Sequence, residues 1–129
     1  MSAPGLSPGL SPGLLLADDF LFISRVQGHA RALGLDVQSI HTPEALLTRA
    51  AETKPPCVLL DVHVAGAKIA ELVPALKALA PPPQVIAYGS HVAAAALHQA
   101  RAAGCDLVLA NSQFVERLPT DLAAWMARS

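Results

Sequence analysis

Apolar residues fall along this chain in short unbroken runs, separated by longer stretches where they recur every three or four positions. The runs at 14–17, 57–60, 85–88 and 107–110, with a shorter segment at 36–41, predict five β-strands. Between them, Phe20, Ile23, Val26 and Ala30 mark one face of a helix over 20–33 that Gly34 ends. Thr42-Pro43-Glu44 predicts a helix start: a capping hydroxyl, proline in the first turn, then an acid near the positive end of the dipole. That helix is expected to reach about Thr53. Further helices are predicted over 69–79, stopped by Pro81-Pro82-Pro83, and over 92–103, closed by Gly104. A last helical segment, interrupted near Pro119, runs towards Met126. Strands that are apolar throughout belong to a parallel sheet covered on both faces, and the alternation with helices predicts a doubly wound α/β domain. Ligands in such folds sit at the carboxyl ends of the strands.

Composition narrows the picture. The chain has 129 residues and 53% apolar content, which fits one domain with a core. Twenty-five residues are alanine and 4% are aromatic, so that core is made of small parts. A net charge of −1 gives no basic excess for a phosphate backbone, and no nucleic-acid partner is expected. No apolar run approaches the roughly 18 residues of a membrane-spanning helix, so no membrane partner is expected. No Lys or Arg precedes Arg25, unlike a secretory signal. Cys57 and Cys105 lie in or beside apolar runs and read as buried thiols of a reduced, cytoplasmic chain. Residues 1–13, MSAPGLSPGLSPG, repeat proline and glycine and read as a flexible leader before a single domain at 14–129.

Asp18 and Asp19 follow the first predicted strand and Asp61 follows the third. If those strands are neighbours, three carboxylates converge and repel one another unless a divalent cation lies among them. Magnesium, a hard ion that accepts a few carboxylates plus water, suits the set. An aspartate beside it is placed to act as a nucleophile towards a phosphoryl group. The plainer reading is that aspartate at a strand end caps the next helix or turn.

The segments LLLADDF at 14–20, VLLDVHVAG at 58–66, EL at 71–72 and ARAAGCDLVLAN at 100–111 resemble the receiver domains of two-component response regulators, a CheY-like family. The resemblance covers about 14–126 and implies a flavodoxin-like five-stranded parallel sheet of order 2-1-3-4-5 with helices on both faces. It implies that Asp61 is the phosphoacceptor, Asp19 a direct magnesium ligand, Asp18 a ligand through water, and the His63 backbone carbonyl the last protein contribution to the metal shell. The sequence also departs from the family. Gly89 stands where a switch Thr or Ser is expected, with Ser90 one residue later as its only replacement. Asn111 stands for the conserved Lys, Ser112 for the proline after it, Val108 for the aromatic switch residue and Ala65 for the loop proline. Asn supplies a neutral dipole where Lys supplies a charge.

These departures imply a pseudo-receiver that works mainly through protein–protein contact, with weak or absent phosphorylation switching and no enzymatic activity. The partner would be a histidine kinase or a signalling effector. A homodimer through the fourth predicted helix, fifth strand and fifth helix is also implied. The alternative within the family is a working phosphoacceptor at Asp61 with an atypical readout.

Other motifs were weighed against these readings. Asp61-x-His63-x-x-Gly66 fits the pattern of cobalamin-binding domains, but there the motif follows the first strand and a downstream Gly-Gly is present; a flavodoxin-like small-ligand or cofactor binder is the third alternative. His91 and His98 are expected on one face of the fourth helix, without a third ligand for a metal. The chain has no Gly-x-Gly-x-x-Gly or Walker loop and no Gly-x-Ser-x-Gly elbow. Trp125 is expected to be a packing residue.

Overall fold

The structure is a computed structural model that describes residues 11–127. Its strands are β1 (Gly13–Leu16), β2 (Val37–Ile40), β3 (Cys57–Asp61), β4 (Gln84–Gly89) and β5 (Leu107–Ala110). Its helices are α1 (Phe20–Ala32), α2 (Pro43–Thr53), the single turn α3 (Val62–Ala65), α4 (Ile69–Lys77), α5 (Ala94–Ala103) and α6 (Asn111–Met126), with a 3-10 turn at Gly66–Lys68 between α3 and α4. All strand pairs are parallel, in the order β2-β1-β3-β4-β5. This is the doubly wound sheet expected from the sequence.

Leu14 and Leu16, Val58 and Leu60, and Val85 and Ala87 face a core shared with α2, α4 and α5. Leu15, Leu59, Ile86 and Tyr88 face the opposite core, against α1 and α6. Because both faces are covered, the central strands β1, β3 and β4 are buried on both sides, which is why their runs are apolar without alternation. Thr42 caps α2 as its sequence predicts, Oγ1 accepting from the Ala45 N–H at 3.1 Å. Gly34 and Gly104 follow α1 and α5 with φ of +73° and +108°, left-handed values that suit glycine.

Several boundaries differ from the sequence reading. Residues 1–10 of the expected leader lie outside the described residues, while Gly13 is already in β1, paired with Val37. Phe20, expected on the inner face of α1, is 76% exposed, and Phe22 of the same turn packs on Tyr88 instead. Helix α5 starts at Ala94, so His91 lies in the preceding turn and does not share a helix face with His98. Helix α6 runs unbroken through Pro119. Proline removes one N–H there, but Phe114, Leu118, Leu122 and Trp125 form a buried stripe that holds both halves of the helix to the sheet.

Candidate functional site

The acidic residues gather at the carboxyl end of the sheet. Asp61 is the last residue of β3 and half-buried; its Oδ1 accepts from the His63 N–H at 2.8 Å, capping α3. Asp19 caps α1, its Oδ1 accepting from the N–H groups of Leu21 at 2.9 Å and Phe22 at 3.2 Å. Asp18 is exposed beside it. Burial pushes the Asp61 pKa upward; the N–H groups of His63 and Val64 and the His63 ring oppose the rise, and the charge of Asp18 adds to it. Asp19 and Asp61 thus cap helices, as the plainer reading of these acids expects. The salt bridges Lys68–Glu44, Lys77–Asp106 and Arg117–Asp121 engage other acids.

A magnesium ion asks for oxygen donors and is usually held by one or two carboxylates with several waters. Asp61 and Asp18 meet that demand in chemistry, and Asp19 adds a third carboxylate nearby. Among the described residues no set of three metal-ligating side chains closes around a point. The residues thus fit magnesium held through one or two carboxylates and water rather than in an all-protein cage. His63, exposed in α3, meets Asp61 through its backbone N–H. In the cobalamin pattern the aspartate would orient the histidine ring.

The register pairs Asp61 with Tyr88, which carries Val62 alongside Gly89. A Cβ on Gly89 would overlap Cγ2 of Val62, a stiff, buried side chain, and would also touch Leu97. Gly89 therefore lacks a hydroxyl and also lacks room for one. Ser90, the alternative hydroxyl, is exposed and turned to its own loop, with its Oγ accepting from the Val92 N–H at 3.3 Å. Asn111 is exposed and is the first residue of α6, which begins directly after β5. The Gln113 Oε1 accepts from the Ala110 N–H at 3.0 Å, tightening that start. Val108 is partly buried against the core beneath α5, and Ala65 is buried in α3.

Two residues of the site were not singled out in the sequence. Val62 reads simply as the residue after Asp61, and its contact with Gly89 depends on side-chain volume across two strands. Tyr88 reads as the end of an apolar run. It is 1% exposed, and its ring stacks on Phe22 and Phe114 at centroid distances of 4.8 and 4.3 Å. Phe114 in turn stacks on Trp125 at 5.9 Å, which confirms Trp125 as a packing residue. The Tyr88 hydroxyl has no hydrogen-bond partner among the described residues. Burial raises its pKa, and the charges of Asp61, Asp19 and Asp18 raise it further. The signal that could have found it is the strand order: with β3 beside β4, the residue before Gly89 lies next to Asp61.

Solved structures share this architecture. The receiver domain of NtrX from Brucella abortus superposes with a TM-score of 0.74 at 18% identity, over 91% of this chain and 99% of that one. An orphan response regulator of H. pylori gives a TM-score of 0.75 at 12% identity, over 94% and 100% of the two chains. A response regulator from Thermotoga maritima gives 0.70 at 17% identity, over 92% and 100%. No protein-family model matches the sequence, and no curated protein matches it. The fold is that of response-regulator receiver domains, with the strand order that the sequence resemblance implied.

Proposed function

We propose that this chain is a receiver-type signalling domain that acts by protein–protein contact, with phosphorylation switching weak or absent. The observation that carries the reading is the pairing of Gly89 with Val62. A switch needs groups that bind its two states differently. Here the position for the hydroxyl is filled by a neighbour, Ser90 is committed to its own turn, and Asn111 brings no charge. Magnesium at Asp18, Asp19 and Asp61 would supply charge neutralisation at the acidic end; the His63 carbonyl is the further ligand that the resemblance implies.

The contact surface we favour is the carboxyl end of the sheet. Phe20 and Leu21 there are 76% and 78% exposed, and Val92 is 78% exposed in the turn after β4. Exposed large apolar side chains beside a charged rim are the composition of a protein interface. A histidine kinase or signalling effector remains the partner class. Dimerisation through α5, β5 and α6, the face implied by the resemblance, remains the second surface to test.

The test is intact-mass spectrometry after incubation with acetyl phosphate and magnesium, beside Asp61→Asn, followed by amide NMR spectra of both proteins. We expect little adduct and no shift changes reaching α5 or β5. A full adduct on the parent alone, with shifts spreading to α5, β5 and α6, would sink the reading and establish a working phosphoacceptor.

A further inference from the structure

Tyr88 Oη is the one buried side-chain polar atom without a hydrogen-bond partner among the described residues. Its ring cannot easily turn to find one. It is held between Phe22 and Phe114, with interplanar angles of 21° and 13°. Its direct neighbour in the sheet is Asp61, so the two side chains lean to the same face. The hydroxyl also lies within electrostatic reach of Asp19 and Asp18. A neutral phenol has one proton to donate and lone pairs to accept with, whereas carboxylates can only accept. A bound water that donates to the phenol oxygen complements that set, and such waters are what a divalent cation keeps around itself.

We propose that Tyr88 is a positioning residue for a hydrated divalent cation at the acidic end of the sheet. Its oxygen accepts from a cation-bound water, so it orients the site without touching the ion. The orphan hydroxyl is then explained by that ligand. This rests on the acidic end being a cation site, and is independent of the Val62–Gly89 argument against a phosphoryl switch. The competing explanation is packing alone: the stack needs a ring at position 88 and the oxygen is incidental.

Tyr88→Phe separates the two, because it keeps the ring and removes one atom. Magnesium is titrated into the full chain by calorimetry, with manganese binding followed by electron paramagnetic resonance, and melting is recorded in EDTA. The expected result is an affinity for both ions lowered by about tenfold, the loss typical of an outer-shell partner. The melting temperature in EDTA stays the same or rises, since a buried orphan is gone. Equal affinity in parent and variant would overturn the proposal, as would melting in EDTA well below the parent, which would assign the oxygen to packing. A parent that binds neither ion at tens of millimolar would overturn it too, while leaving the contact-based reading intact.

Discussion

The two ends of the sheet treat their polar groups in opposite ways. At the amino end, the Asp106 carboxylate accepts from Lys77 Nζ and from the Val85 N–H, both at 2.7 Å, and Lys77 also donates to the Pro83 carbonyl at 2.9 Å. Lys77 and Asp106 are thus partnered within the chain, and their network ties α4, β4 and β5 together. At the carboxyl end, Asp18 projects into solvent, the Tyr88 hydroxyl is unpaired, and Phe20 and Leu21 stand bare. A buried polar group left short is stabilised by binding something. The contrast is the ground for proposing the carboxyl end as the contact surface.

The largest effect that would break this comparison belongs to the amino end. Asp106→Ala leaves the part-buried Val85 N–H without its acceptor and Lys77 without its ion pair. Such a loss costs about 2 kcal/mol, read as a lower urea midpoint at unchanged slope. Magnesium binding at the other end should be unaltered. If it falls together with stability, the two ends are coupled and the division fails.

Gly89→Thr comes next. Overpacking against Val62 is expected to cost about 1–3 kcal/mol. Val62→Ala in the same protein should recover part of that loss, a favourable coupling measurable in a double-mutant cycle. A threonine tolerated without cost would mean that Val62 turns aside readily and that the switch position is vacant rather than filled. The double variant is also the one most suited to regaining a phosphoryl response, because it has both the hydroxyl and the space for it.

Much of this fold was legible because burial on both faces leaves an unmistakable apolar run; β5 lies at 107–110 as expected. The helix starts that were read correctly rest on local chemistry, such as Thr42 and its capping bond. Pro119 misled because intrinsic propensity was outweighed by the stripe from Phe114 to Trp125, a tertiary effect. Phe20 misled because periodicity alone did not show that Phe22 and Ile23 are the residues of that turn facing the core. At the site, the acids were legible from their place after strands. The Val62–Gly89 fit was not, because it is a matter of volume between neighbouring strands. Tyr88 was counted as apolar, and its unpaired oxygen becomes visible only when its surroundings are known.

Asp61 gives a smaller effect, with a sign fixed by its surroundings. Its folded-state pKa is raised, mainly by burial. The folded chain therefore holds that proton more tightly than the unfolded chain. The contribution of Asp61 to stability falls as pH rises from below the unfolded carboxylate pKa through the folded one. In EDTA at pH 7, Asp61→Asn should raise stability, because the variant no longer buries a charge there. The amide oxygen can still accept from the His63 N–H, so the cap survives. The gain should vanish once pH drops below the ordinary aspartate range. Adding magnesium should stabilise the parent and leave the variant unmoved. A variant less stable than the parent at pH 7 would show that the α3 cap outweighs burial of the charge.

The smallest expected effect on stability is also the most direct probe of the interaction end. Phe20→Ser with Leu21→Ser changes two side chains that are about three-quarters exposed and leaves the backbone N–H of Leu21 free to bond Asp19. Stability should move by no more than about 0.5 kcal/mol, while retention on a hydrophobic-interaction column falls clearly. If stability drops by several times that amount, the pair is packing against the domain and the bare patch does not exist. If stability holds and binding to a partner is lost, two residues without a role in the fold carry the contact, as the contrast between the two ends requires.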